Sequence, residues 1–169
     1  MGMRRALAQL VLGALGLLIC TPQAAMPAAP ARLAVTGAVE RPLDLQISDL
    51  RKMPHVPVDV KDHDGKLTTY EGVPLVELLK LAGAAIGEKL KGANMASYIL
   101  AEAKDGYRVV FALAELDPAF TDAKVLVAYF ANGKPLPDGQ GPFRIVAPEE
   151  KRPARWIRML QRIQVVKVQ

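Results

Sequence analysis

Cysteine is almost missing from this chain: Cys20 is the only one in 169 residues. Past residue 20 there is no thiolate to bind a metal or attack a substrate, and no disulfide can form within the chain. Histidine is nearly as scarce, with His55 and His63 alone. Aromatic residues make up 5% of the chain and Trp156 is the sole tryptophan, so the stacking platforms that hold single-stranded nucleic acid have little to be built from. After residue 30 no apolar run approaches the length of a bilayer crossing. No strand pattern leads into a G-x-G-x-x-G or phosphate-loop signature, and no Gly-x-Ser-x-Gly elbow occurs. Nucleotide-binding and serine-hydrolase patterns are therefore unsupported.

The beginning of the chain has a clear pattern of its own. Arg4 and Arg5 precede an apolar run from Ala6 to Ile19, and TPQAAMPAAP follows. A basic start, an apolar centre and a small-residue exit predict a secretory signal peptide over 1–29, cleaved between Ala24 and Ala29. The expected location is the periplasm or the exterior, with no membrane attachment after cleavage. Cleavage would remove Cys20 and both leader arginines, leaving 20 basic residues against 17 acidic, a net charge of +3. So small an excess does not predict nucleic-acid binding. About 140 residues remain, enough for one domain, here placed at 30–169.

Within 30–169 strand patterns outnumber helices. Alternation predicts strands over 32–40 and 43–47, with a short helix from a Ser48 cap to Lys52. HVPVDVK (55–61) reads as an edge or irregular strand because of Pro57. DHDGK (62–66) is a turn and LTTYE (67–71) the returning hairpin arm. PLVELLKLAG (74–83) is the clearest helix. Pro74 suits its first turn, Gly83 its end, and Leu75, Leu78, Leu79 and Ala82 share one face. Further strands are expected over 95–103, 107–111, 124–130, FRIVAP and 162–168, with a helical turn at ALAELDP. GEKLKGANM reads as a polar loop, and ANGKPLPDGQGP as a long turn-rich one. The expectation is an α+β domain with a mixed sheet and few short helices, not a regular βαβ alternation.

Taken in order, YEGVPLVELLKLAG, KDGYRVVFALAELDP and LVAYFANGKPLPDGQGPFRIVAPEEKRPARWIRMLQRIQV resemble the molybdopterin-binding domain of the sulfite oxidase family. The resemblance spans roughly residues 32–169 and is to the compact, exported, single-domain bacterial branch. It implies a sulfite-oxidase-like fold and makes molybdopterin a possible cofactor. In catalytic members a cysteine thiolate ahead of the Gly-Val-Pro-Leu segment binds molybdenum. The matching position here falls near Lys61, and an ammonium repels a cationic centre. Ordinary sulfite oxidation is therefore not expected.

The resemblance also points to phosphate contacts. Arg144, in GPFRIV, is either an anion contact or an exposed strand position. Lys151, Arg152, Arg155 and Arg158 surround Trp156. Arg155 and Trp156 stand where the family has a Lys-Trp pair beside the pterin phosphate, and a guanidinium grips phosphate well. The alternative for this cluster is a solvated network that includes Glu149 and Glu150. Trp156 itself reads as a core anchor, and Tyr107 as a packed ring or a group beside the cleft. The cofactor-binding candidates are thus Lys61, Tyr107, Arg144, Lys151, Arg152, Arg155 and Arg158. His55, Asp59, Asp62, His63 and Asp64 offer metal-ligand types without a spacing that gathers three, so no metal site is expected. The favoured function is an anion- or protein-binding module without molybdenum redox chemistry, its partner a small anion or an envelope protein. The alternatives are a molybdopterin-dependent oxidoreductase with a non-cysteine metal environment, and a structural envelope partner.

Overall fold

The computed structural model describes residues 30–61 and 65–168. The predicted leader and most of the 62–66 turn lie outside the described residues. Among the described residues ten strands and two α-helices follow in chain order: β1 (Leu33–Gly37), β2 (Leu43–Leu45), α1 (Ile47–Leu50), β3 (Val56–Lys61), β4 (Leu67–Pro74), α2 (Leu75–Ala82), β5 (Tyr98–Ala103), β6 (Arg108–Ala112), β7 (Leu126–Ala131), β8 (Lys134–Pro135), β9 (Arg144–Val146) and β10 (Leu160–Val166). The fold is α+β with few short helices.

The strands form two sheets. One has the order β2-β1-β10-β5-β6, with β1 parallel to β10 and the other pairs antiparallel. The other runs β3-β4-β7-β8, and β9 also pairs with β7. Side chains alternate across each strand. In the first sheet this alternation turns Leu33, Val35, Ile99, Ala101, Phe111, Ile163 and Val165 into the core. They join Val73, Val127, Tyr129 and Ile145 of the second sheet in one buried cluster.

Helix α2 fills out that core. Leu75, Leu78, Leu79 and Ala82 are fully buried, as their spacing predicts. Gly83 closes the helix at φ 74°, a left-handed conformation that costs glycine little. Pro74 is one residue outside the helix, as the last residue of β4. Gly72 has a different reason to be glycine. A Cβ there would lie 2.3 Å from the Val127 carbonyl oxygen, because β4 and β7 approach closely at a register shift.

Several expected boundaries move. The first short helix starts at Ile47 rather than after Ser48, and the Asp49 carboxylate accepts a hydrogen bond from the Gln46 backbone N–H at 3.0 Å. Residues Gly92–Ala96 form a tight 3-10 turn, so the strand predicted over 95–103 begins at Tyr98. Another such turn covers Gly87–Lys89 in the predicted polar loop.

Candidate functional site

Strand β9 places Arg144 on the second sheet, opposite Ala128 in β7, and Ala128 in turn lies opposite Gly72 in β4. Side chains of directly paired residues share a face. Arg144 therefore shares a face with the small side chain of Ala128. Arg144 is buried, with 7% of its surface exposed. This settles its sequence-level ambiguity against the exposed-strand option.

The guanidinium of Arg144 meets neutral groups only. Its Nη1 donates to the Tyr70 hydroxyl at 3.0 Å and to Gln140 Oε1 at 2.5 Å. Its carbon lies 5.0 Å from the centre of the Tyr70 ring. No ion pair among the described residues includes it. Its Nε is buried and has no hydrogen-bond partner. Burial lowers the Arg144 pKa below the ordinary guanidinium value; Tyr70 opposes that shift and Arg158 adds to it. A buried cation without a carboxylate costs several kcal/mol, and here a hydroxyl, an amide oxygen and an aromatic face offset only part of that.

Arg144 lies in the wall of a cleft of about 770 Å³ that also meets Lys61, Tyr70, Gln140, Lys151 and Trp156. That size suits a small organic ligand. Lys61 ends β3, at the tip of the β3–β4 hairpin, and Lys151 comes from the loop after β9. Lys66 is a further basic residue of the lining, and Glu150 is the only acidic one among the described residues. Trp156 is half-buried on the cleft wall rather than a core anchor, and its Nε1 donates to the Ala147 carbonyl at 2.9 Å.

The other predicted residues lie elsewhere. Tyr107 and Arg158 line a separate cavity of about 260 Å³ that shares Trp156 with the cleft. The Tyr107 hydroxyl donates to the Ala154 carbonyl at 2.8 Å. Arg152 is exposed on the loop. Arg155 faces an apolar groove of about 440 Å³ that includes Phe111 and Phe120. It is paired with Glu115 at 3.0 Å and Glu150 at 2.5 Å. Burial opposes the charge of Arg155, but these carboxylates outweigh it and raise the pKa. The sequence therefore brings Lys61, Arg144 and Lys151 to one cleft, and not the basic cluster as a whole.

Tyr70, Gln140 and Lys66 were missed as lining residues. Tyr70 adjoins the Gly-Val-Pro-Leu motif, which was a usable signal. Gln140 sits in a turn-rich loop and offered none.

Asp62, His63 and Asp64 lie outside the described residues. His55 Nδ1 lies 3.2 Å from the Met53 carbonyl oxygen, and Asp59 accepts from Thr69 Oγ1 at 2.6 Å. No group of three His, Cys, Asp or Glu side chains suited to a metal exists among the described residues.

One mixed and one antiparallel sheet share a core, and a cationic cleft lies between the hairpin tip and the loop after β9, which places the chain among α+β proteins. The chain belongs to the oxidoreductase molybdopterin binding domain family, whose model matches residues 21–169. It is similar in fold to the sulfane dehydrogenase SoxCD from Paracoccus pantotrophus, with a TM-score of 0.63 and 23% sequence identity. That likeness covers 80% of this chain but only 38% of the SoxCD chain. No curated protein matches the sequence.

The cleft fits one part of the family's cofactor and not another. Arg144, Lys61 and Lys151 suit the phosphate of a pterin. The described donor set does not suit a molybdenum centre bound through a protein thiolate, because Cys20 is the only cysteine in the sequence and no cysteine is among the described lining residues.

Proposed function

We propose that this chain is an anion-binding domain whose cleft takes a small oxyanionic or phosphate-bearing ligand without a protein-ligated molybdenum centre. The observation that carries this reading is Arg144: a buried guanidinium with an unpartnered Nε and no carboxylate among the described residues. An oxyanion supplies the missing countercharge and accepting lone pairs. The same geometry sets the polarity of the neighbours. Tyr70 Oη and Gln140 Oε1 both accept from Arg144, which leaves the hydroxyl proton and the amide protons to donate to a ligand. Lys61 and Lys151 add positive charge at the exposed edge. The recessed position of Arg144 favours a small ligand over the flat face of a protein.

Family membership supports a second reading, a molybdopterin-dependent oxidoreductase with a non-cysteine metal environment. In that case the same basic residues would hold the pterin phosphate. Export belongs to the proposal as well, supported by the leader pattern of residues 4–29. Among the described residues no helix is long and apolar enough to cross a membrane.

Trp156 gives a direct assay, since it is the only tryptophan and lines the cleft. Its fluorescence should change saturably on titration with inorganic phosphate or phenyl phosphate at constant ionic strength. Arg144→Met should weaken binding by roughly tenfold to a hundredfold, the scale of a lost charged hydrogen-bond partner. Equal affinity in parent and variant would remove Arg144 from the site and refute the reading.

A further inference from the structure

Glu150 stands on the wall between two unlike cavities. It lines the cationic cleft with Arg144 and Lys151, and it also lines the apolar groove with Phe111 and Phe120. Its side chain is 20% exposed. A carboxylate here would repel an incoming anion, or would occupy the cleft in its place.

Arg155 holds that carboxylate from the groove side. Its Nη2 pairs with Glu150 Oε1 at 2.5 Å. Its Nη1 donates to Glu115 Oε2 at 3.0 Å and to the Val110 carbonyl at 3.1 Å. Its guanidinium lies 4.3 Å from the centre of the Phe111 ring. Glu115, Val110 and Phe111 are all outside the cleft lining. Arg155 is thus fixed by three groups on the groove side and has one hand on Glu150.

We infer that Arg155 is a positioning residue for the anion site: it neutralises Glu150 and holds it toward the groove, so that the cleft keeps its positive charge. The inference rests on the oxyanion reading above and gives Arg155 a role without ligand contact. A released Glu150 is drawn toward Lys151 and Arg144 and competes with the ligand as an internal anion. This differs from the sequence-based expectation, in which Arg155 grips phosphate itself.

A double-mutant cycle separates the two roles. Trp156 fluorescence is titrated with inorganic phosphate on the parent, Arg155→Met, Glu150→Gln and the double variant, at constant ionic strength. Methionine preserves an apolar stem over Phe111. Arg155→Met should weaken binding by roughly fivefold, the effect of one uncompensated charge several ångströms from the anion in a partly screened site. Glu150→Gln alone should bind at least as tightly as the parent. The double variant should recover to within about twofold of Glu150→Gln. A merely structural loss at Arg155 gives no such recovery. Arg155→Lys is the second probe, checked for folding by thermal denaturation. It keeps the charge but cannot span Glu115, Glu150 and the Val110 carbonyl together, so it should weaken binding less than methionine and recover likewise with Glu150→Gln. A double variant as weak as Arg155→Met, or an Arg155→Met variant that binds like the parent, overturns the inference. If Arg144→Met loses binding while the cycle shows no coupling, this inference alone falls. If the parent binds no phosphate, both readings fall together.

Discussion

Replacing Arg144 by methionine should leave the protein as stable as the parent or more stable, even though it removes a buried side chain with two hydrogen bonds. The substitution loses the bonds to Tyr70 and Gln140 and the cation–π contact at 5.0 Å. The contact is worth about 0.5–2 kcal/mol. Tyr70 and Gln140 line the cleft, so water can take over their freed groups. Against these losses stands relief of a desolvated cation with no carboxylate and an orphaned Nε, worth several kcal/mol. The expected net change runs from about zero to a gain of about 2 kcal/mol. For a domain of this size each kcal/mol moves Tm by roughly 3–5 °C. Bound anion should favour the parent. At a phosphate concentration a hundred times its Kd the parent gains about 2.7 kcal/mol, and a variant that binds tenfold to a hundredfold more weakly gains about 0.4–1.4 kcal/mol, so the difference between them shifts toward the parent by about 1.3–2.3 kcal/mol. Thermal denaturation with and without phosphate reads both changes. A variant that loses more than about 2 kcal/mol without phosphate would show Arg144 to be a structural strut and refute the reasoning.

Three further outcomes follow from the fold and its charges. Leu78→Asp puts an unpaired carboxylate at a fully buried position of α2, and urea denaturation should show a loss of about 4 kcal/mol or more. Gly72→Ala forces a methyl group to 2.3 Å from the Val127 carbonyl oxygen, so β4 and β7 must part, with a loss of roughly 2 kcal/mol in the same assay. The hydrogen bond from Arg162, with Arg108 beside it, holds the Glu102 carboxyl below the usual carboxylate range. A depressed folded-state pKa stabilises above the unfolded value and loses that contribution as pH falls through the folded one. Glu102→Gln should therefore be less stable than the parent at neutral pH, with the gap closing in acid; a gap independent of pH would contradict the assignment.

What the sequence revealed depended on the range of the interaction that decides each feature. Helix α2 was legible because its buried face is a local pattern, with Leu75, Leu78, Leu79 and Ala82 at helical spacing and Gly83 at the end. The β3–β4 hairpin was legible for the same reason. The start of β5 was not, since a 3-10 turn at Gly92–Ala96 and a strand are both compatible with a short run of small and apolar residues. The site divided along similar lines. Arg144, Lys61 and Lys151, candidates singled out through the family motifs, line one cleft. The partnership of Arg144 with Tyr70 joins residues 74 positions apart, and nothing near either one encodes it. Arg155 and Trp156 are adjacent in sequence but face different cavities, because a 3-10 turn over Pro153–Arg155 rotates successive side chains by about a third of a turn. Adjacency of a basic residue to the tryptophan was therefore a poor guide to which cavity each would face.

A molybdopterin-family fold that holds an anion through Arg144 without a protein-ligated molybdenum centre should carry neither molybdenum nor pterin. The most direct test is molybdenum analysis together with pterin fluorescence on the protein purified from the compartment it natively occupies. The predicted result is a chain without stoichiometric molybdenum or pterin. One molybdenum and one pterin per chain would contradict the claim and establish the oxidoreductase reading in its place.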